Sequence, residues 1–178
     1  MLVFLGLGSN LGDRARILAS ATDSLSCNNQ VIKQSAVYET LPALGPPQPN
    51  YLNAALLLQT SLDPFDFLES LFVLESQHGR RRRPDQRNFP RFLDLDILLL
   101  GAHGQEVIKT ERLEVPHPRM AQRTIVLAPL LDIDQHLVHP TLHMSLKNIY
   151  KQLLISEPPP VQISPWIVPS IPSNDSVK

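Results

Sequence analysis

The chain has a single cysteine, Cys27, among its 178 residues. One cysteine excludes an internal disulfide framework and a zinc site built from paired thiolates. No apolar run approaches the ~20 residues that a membrane-spanning helix needs. The first residues also lack the positively charged start of a signal peptide. We therefore expect a soluble, cytoplasmic protein.

The chain also lacks a strong net charge and any repeat of solenoid length. Its formal net charge is −1, whereas a general nucleic-acid-binding domain is usually clearly basic. A chain of this length is expected to form one ordinary domain with a full core. The expected partners are small molecules, with no nucleic acid and no membrane, and the expected state is a monomer or a weak dimer.

Hydrophobic patterning and turn residues predict an alternation of strands and helices. Strands are predicted at 2–7, 31–39, 51–61 and 92–100, with a short one near 107–108, and helices from about 13 to 27, 63 to 79, 120 to 127 and 145 to 155. The β-α-β-β-α-β order, with helices expected on one face of the sheet, favours an α+β sandwich over a doubly wound sheet.

Proline divides the chain near its end. Residues 1–156 are predicted to form the folded domain, whereas 157–178 contain six prolines and cannot be helical. We expect this tail to be disordered or to lie as an extended strap over the domain.

Two carboxylates lie inside the most apolar predicted strand. Asp94 and Asp96 are separated by one residue, so both side chains project from the same face, about 6.5–7 Å apart along the strand. Burying two like charges is unfavourable unless cations lie between them, and two magnesium ions bound to a polyphosphate fit that spacing. Solvated aspartates at a sheet edge are the alternative, but the apolar run from 97 to 100 is typical of a central strand.

Arginine is concentrated just before this strand. The cluster consists of Arg80, Arg81, Arg82, Arg83, Arg87 and Arg91. Such a cluster is expected where phosphates are bound. Together with the acid pair it predicts magnesium-dependent phosphoryl chemistry. The alternative is an anion- or nucleic-acid-binding module that uses the Arg80–Arg91 basic loop.

Other candidate motifs are weaker. The run from Gly6 to Gly12 is similar to a dinucleotide-binding fingerprint, but leucine replaces the third glycine at position 11, and the lysine of a Walker sequence is missing. A tight turn whose backbone approaches a ligand is the better interpretation. His117 lies between two prolines and near three arginines, which favours a phosphate contact over a plain loop histidine.

Several separated segments together resemble one family. They are Gly8-Ser9-Asn10-Leu11-Gly12, Tyr38-Glu39-Thr40, Tyr51-Leu52-Asn53-Ala54, Arg91-x-x-Asp94-Leu95-Asp96-Ile97, Val115-Pro116-His117 and Arg123 with Leu127-x-Pro129-Leu130. In order and spacing they are similar to 6-hydroxymethyl-7,8-dihydropterin pyrophosphokinase of folate biosynthesis. The resemblance extends over about residues 2–155 and leaves out the proline-rich tail.

The resemblance implies a ferredoxin-like βαββαβ fold and transfer of pyrophosphate from ATP, the co-substrate, to the pterin hydroxymethyl group, with release of AMP. It implies two magnesium ions on Asp94 and Asp96, and a catalytic set completed by Arg81 and Arg91. ATP contacts are implied at Arg91, Arg112, His117 and Arg123, and pterin contacts at Gly8, Thr40, Leu44, Tyr51 and Asn53.

Two positions depart from the family pattern. Phe89 replaces a small residue two positions before Arg91, and Ile125 replaces an aromatic residue that commonly stacks on the pterin. We expect Phe89 or another nearby ring to supply the stacking surface.

Overall fold

A computed structural model describes residues 1–42, 46–80 and 89–163. The described residues form eight strands, β1 Leu2–Ser9, β2 Gln30–Gln34, β3 Val37–Thr40, β4 Tyr51–Gln59, β5 Asp94–Leu100, β6 Ile108–Lys109, β7 Glu114–Val115 and β8 Val161–Ile163. They also form four α-helices, α1 Arg14–Ser26, α2 Pro64–Gln77, α3 Thr124–Ile133 and α4 Leu146–Leu153, and a 3-10 turn at Met120–Gln122. The fold is mixed α and β.

The main sheet is antiparallel, with the strand order β5-β1-β4-β3-β8, and β2 pairs with β4 beside β3. β1 and β4 are central and nearly continuous in apolar residues, as expected for strands covered on both faces. β6 and β7 form a separate hairpin-like pair. None of the helices in the described ranges has the length and apolar character needed to cross a membrane.

Helices cover both faces of the sheet. Apolar residues of α1 and α2 pack on one face, in a core with Leu5 and Leu56, and those of α3 and α4 pack on the other, with Phe4 and Leu98. The expectation of helices on one face therefore holds for α1 and α2, the two helices of the β-α-β-β-α-β order, and is wrong for α3 and α4. The physical reason is that the central strands are apolar on both faces, so each face needs a covering layer.

The helix starts follow local capping chemistry. The Asp13 carboxylate accepts a hydrogen bond from the amide of Arg16, and Asp63 caps α2 ahead of Pro64 at its first position. The strand predicted over 31–39 is instead interrupted at Ser35. The Ser35 hydroxyl accepts a hydrogen bond from the amide of Ala55, which replaces regular strand pairing at this break.

The prediction of a helix ending at Leu127 is wrong. α3 begins at Thr124 and continues to Ile133, with Pro129 inside it. Proline cannot donate to the carbonyl of Ile125, so the sequence pattern argues against a helix here. Burial overrides that preference, because six residues of α3 are buried against the sheet and α4.

Candidate active site

Glycine on β1 leaves open space above the middle of the sheet. Asp94 on β5, Gly8 on β1 and Asn53 on β4 are direct neighbours across the strands, and Asp96 lies beside Gly6 in the same way. A Cβ added at Gly8 would lie 3.5 Å from the Asn53 side-chain oxygen and 3.6 Å from the Asp94 Cβ. Gly8 therefore forms the floor of a site whose sides are a carboxylate and an amide, whereas a Cβ added at Gly6 would meet the Leu98 side chain at 3.1 Å.

This floor belongs to a cavity of about 700 Å³ between the sheet and the start of α3. Its lining consists of Gly6–Gly8, Glu39–Pro42, Asn50, Tyr51, Asn53, Ala54, Arg91, Asp94, Asp96, Leu98, Arg123–Val126 and Glu157–Val161. Most of the lining surface is apolar and a few polar groups converge on it, which is typical of a small-molecule site.

Among the described residues, two arginines form ion pairs with Asp94. The Arg80 guanidinium forms an ion pair with one oxygen of the Asp94 carboxylate, and Arg91 Nη1 lies 2.9 Å from the other. Arg80 also pairs with Glu75, a residue of α2 that is only 1% exposed. Glu75 accepts a further hydrogen bond of 2.8 Å from the amide of Leu95. This network fixes the start of β5 and orients Asp94.

Asp96 and His117 lie on the other side of the acid pair. Loss of water within the cavity and the nearby carboxylates of Asp94 and Glu75 raise the pKa of Asp96 well above its usual range. Burial and the charge of nearby arginines lower the pKa of His117 to about 4. His117 Nδ1 accepts a hydrogen bond from the amide of Arg119, so Nε2 carries the proton of the neutral ring, 4.0 Å from Asp96 Oδ1.

An aromatic ring and an amide form the wall opposite the acid pair. The Arg91 guanidinium lies over the Tyr51 ring, 5.7 Å from its centroid, and links this wall to the carboxylates. The Asn53 amide nitrogen donates to the Thr40 hydroxyl at 3.1 Å. The Asn53 oxygen points over Gly8, where it can accept a hydrogen bond from a ligand.

The structure brings most of the predicted residues together. Those that line the cavity are Gly8, Thr40, Tyr51, Asn53, Arg91, Asp94, Asp96 and Arg123. His117 adjoins Asp96. Arg112 lies apart from the lining, bonded at 2.7 Å to Glu69 of α2, and its ATP contact stays a prediction. Arg81 and Leu44 lie outside the described residues.

The expected stacking of the pterin on Phe89 or another nearby ring stays a prediction. Phe89 is 43% exposed and is not part of the lining, whereas Ile125 is. Tyr51 is the aromatic residue that the described lining contains.

Sequence reasoning did not find three residues of this region. Glu75 was hidden in the helical pattern of α2, although a carboxylate among buried leucines is itself a signal. Asn10 entered the resemblance only as part of the Gly8–Gly12 segment, with no role assigned, whereas its side chain accepts a hydrogen bond from the amide of Arg91. Glu157, which lines the cavity, lies in the tail beyond the resemblance and no pattern indicated it.

Within the described ranges, no three or more His, Cys, Asp or Glu side chains are grouped to hold a metal ion. Asp94 and Asp96 are the acid pair that the cavity presents.

A family model and two known proteins that are similar to this chain carry descriptions of the same pyrophosphokinase. The family model for 7,8-dihydro-6-hydroxymethylpterin-pyrophosphokinase matches residues 4–135. The chain is 44% identical to the 2-amino-4-hydroxy-6-hydroxymethyldihydropteridine pyrophosphokinase of Bacillus subtilis over 136 residues, which is 75% of this chain and 78% of that protein. The chain is 39% identical to the protein of the same name from Aquifex aeolicus over 146 residues, which is 82% of this chain and 88% of that protein.

Longer proteins are also similar. The chain is 38% identical to the folic acid synthesis protein fol1 of Pneumocystis carinii over 160 residues, and the match takes up 89% of this chain but 21% of that protein. Among solved structures, Plasmodium falciparum HPPK-DHPS with pteroate has a TM-score of 0.67 at 15% identity, over 85% of this chain and 42% of that one. At that identity the likeness concerns the fold alone.

Proposed function

The chain belongs to the 7,8-dihydro-6-hydroxymethylpterin-pyrophosphokinase family, and from this premise we propose that it transfers pyrophosphate from ATP to the hydroxymethyl group of 6-hydroxymethyl-7,8-dihydropterin. AMP is the second product, and the reaction belongs to folate biosynthesis. The observation that carries this proposal is the position of the Asp94–Asp96 pair. Asp94 lies across Gly8 from Asn53, and Tyr51 lines the same cavity. Phosphate chemistry and recognition of a flat heterocycle thus meet in one cavity.

We assign the pterin to the Tyr51 side of the cavity. The Tyr51 ring offers a flat apolar face, and the Asn53 oxygen, left free by the bond from its amide nitrogen to Thr40, is positioned to accept from an N–H of the pterin ring. Gly8 lets the ring approach the sheet closely, because no side chain lies beneath it. The hydroxymethyl group then projects toward the acid pair.

We assign the triphosphate of ATP to the cationic side. Arg91 and Arg123 line the cavity beside the carboxylates, and both bind phosphate oxygens in this proposal. His117 is neutral, so its Nε2–H donates a hydrogen bond to a phosphate oxygen without adding charge. Arg81, which lies outside the described residues, is proposed to close over the phosphates. Arg112 is proposed to contact ATP. Leu44, also outside the described residues, is proposed to contact the pterin.

The residues present fit two magnesium ions. Asp94 and Asp96 project from one face of β5. Burial, and after it the neighbouring carboxylates of Asp94 and Glu75, raise the pKa of Asp96, and divalent cations would neutralise this negative charge. Two carboxylates are a typical protein contribution to magnesium sites whose other ligands are waters and substrate phosphates. When bound, the metal supplies charge neutralisation of the triphosphate and acidifies the attacking hydroxyl.

The chain's own contribution to the reaction is positioning. The substrate hydroxyl oxygen attacks the β-phosphorus of ATP in line with the departing AMP oxygen, and the hydroxyl proton passes to solvent or to Asp96. Asn53 and Tyr51 orient the nucleophile, whereas Arg91 and Arg123 orient the electrophile. The strand order β5-β1-β4 with β2 and β3 beside it supports a ferredoxin-like assignment of the βαββαβ core.

Production of AMP is the direct test. The purified chain is incubated with ATP, magnesium and the reduced pterin alcohol, and AMP is quantified with and without the pterin. We expect AMP to form only when pterin is present, in a one-to-one ratio with the pterin diphosphate. AMP formation that ignores pterin, or none under any condition, would reject the proposal. The alternative of a nucleic-acid-binding Arg80–Arg91 loop is not supported by the family match.

A further inference from the structure

The helix α3 begins at the wall of the cavity. Thr124, Ile125 and Val126 of its first turn are part of the lining, and Arg123 precedes them. The amides of Val126 and Leu127 donate to the carbonyl of Arg123. The amides of Thr124 and Ile125 have no such acceptor within the helix, and the Arg123 side chain supplies no cap.

Glu157 supplies the missing acceptor from a distant part of the chain. Its Oε2 atom accepts from the Thr124 amide at 3.5 Å and from the Thr124 hydroxyl at 3.2 Å. Thr124 is only 2% exposed, whereas Glu157 is half-buried and lines the cavity. A carboxylate at this position also interacts favourably with the positive end of the helix dipole. Glu157 therefore acts as an N-terminal cap from outside the helix.

The segment that carries Glu157 is itself held at both ends. On one side, the Glu157 amide donates to the carbonyl of Leu153 at the end of α4, at 2.9 Å. On the other, three prolines at 158–160 lead into β8, where Val161 pairs with Glu39 of β3. Proline restricts the backbone to extended conformations, so this connection is stiff. We call residues 157–161 the proline strap.

The proline strap links two walls of the cavity. It lines the cavity along its whole length, and it joins the first turn of α3 to β3, which carries Thr40. The opposite end of α3 is held separately, because Asp132 accepts from the Tyr38 hydroxyl at 2.9 Å and from the Ala36 amide at 3.0 Å. Loosening the Glu157 contact would thus free the cavity end of α3 while its far end stays attached.

We propose that Glu157 is a positioning residue that holds the first turn of α3, and with it Arg123 and Ile125, in the geometry that binds substrate. This inference rests on the proposed function, because the effect of Glu157 is measured as KM for ATP and pterin, the substrates that the proposed function assigns. Glu157 acts through Thr124 and need not touch ATP or pterin itself. The inference places the start of the proline-rich tail within the working enzyme.

Steady-state kinetics of Glu157→Ala and Glu157→Gln test this role. Loss of a cap worth about 1.4 kcal/mol corresponds to about a tenfold change, so we expect Glu157→Ala to raise KM for ATP and pterin about tenfold, with kcat within about threefold of the parent. The glutamine oxygen still accepts from Thr124, so Glu157→Gln should restore KM to within about threefold. Glu106→Ala, an exposed carboxylate outside the lining, is the matched control.

Hydrogen exchange provides a readout that does not depend on activity. The amides of residues 124–127 should exchange faster in Glu157→Ala, whereas those of 130–133 should be unchanged. A purely structural role would lower the melting temperature and leave KM unchanged, and that result would overturn the inference. If Glu157→Ala does not fold, Thr124→Val replaces it, because this variant removes the hydroxyl that donates to Glu157. Thr124→Val should raise KM by less than tenfold. The double variant with Glu157→Gln should have the same KM as Thr124→Val alone.

The two proposals fail in distinguishable ways. If the parent chain produces no AMP, the proposed function is wrong, and the exchange of residues 124–127 still reports whether Glu157 holds α3. If the parent is active and Glu157→Ala matches it in both KM and exchange, the positioning role is rejected and the function stands.

Discussion

Asn10 and Arg91 exchange two hydrogen bonds between segments that are 81 residues apart. The Asn10 amide donates to the Arg91 carbonyl at 3.1 Å, and the Arg91 amide donates to Asn10 Oδ1 at 2.7 Å. Asn10 Nδ2 also donates to Gln48 Oε1 and to the carbonyl of Pro49. One side chain, 1% exposed, thus joins the turn after β1, the loop before β4 and the start of β5.

Replacing this asparagine should affect both stability and activity. Asn10→Ala leaves the partly buried amide of Arg91 without its side-chain acceptor, at a cost of about 1–3 kcal/mol in the free energy of unfolding. Displacement of Arg91 should also lower kcat/KM. Urea unfolding and AMP production measure the two effects. Asn28→Ala, an exposed control, should change neither; equal behaviour of the two variants would contradict the joining role of Asn10.

The acid pair should be essential for turnover but not for folding. Asp94→Asn and Asp96→Asn are each expected to reduce kcat by at least about a hundredfold, because they remove charge that the transition state requires. Each should also weaken magnesium-dependent binding of a non-hydrolysable ATP analogue, measured by calorimetry. The exposed Asp23→Asn on α1 is the matched control. Near-parental activity of both variants would remove the magnesium assignment.

Arg123 should act mainly on the nucleotide. Arg123→Ala is expected to raise KM for ATP about tenfold or more, in keeping with the loss of a charge-assisted hydrogen bond of about 1.5–3 kcal/mol. The melting temperature should stay near that of the parent, because Arg123 lies at the cavity and not in the core. Arg16→Ala, exposed on α1, controls for loss of positive charge. A large loss of stability would instead identify Arg123 as structural.

His139 should make stability depend on pH. Burial lowers the pKa of His139, which is 5% exposed, and its Nδ1 accepts from the amide of Leu142 at 3.3 Å. Between the lowered folded pKa and the unfolded pKa of about 6.5, the unfolded chain binds more protons, so stability is present above that window and falls as pH drops through it.

Urea unfolding between pH about 7.5 and about 5.5 checks this linkage. His139→Asn retains an acceptor for the Leu142 amide but does not titrate, so its loss of stability over the window should be smaller than that of the parent. His103→Gln replaces an exposed histidine and should keep the parental slope. An unchanged slope in His139→Asn would show that this histidine does not contribute.

The accuracy of the sequence predictions depended on how local the determining interactions were. α1 and α2 were predicted well because their caps, Asp13 and Asp63, act within one turn. α3 was misplaced because its formation depends on packing against the sheet, which overrides Pro129. The covering of both sheet faces was missed for a related reason, since strand periodicity does not say which elements will cover each face.

In the site too, features that depend on residues close in sequence were predicted, and features that depend on contacts between distant residues were not. The spacing of Asp94 and Asp96 by itself predicted two carboxylates on one face, because strand geometry leaves no other arrangement. Their proximity to Tyr51 and Asn53 was implied by the family resemblance and depends on β1 pairing with both β4 and β5. Glu75 and Glu157 join the region through contacts that no local pattern encodes.

By itself, the sequence determined where most strands and helices begin and end, that two acids share one strand face, and that arginines accompany them, because these depend on residues within a few positions of one another. Only the tertiary structure decided which of these groups meet. The pairing of β1 with β4 and β5, and the tie between Glu157 and Thr124, join residues far apart in the chain, and such contacts are selected by packing of the whole domain.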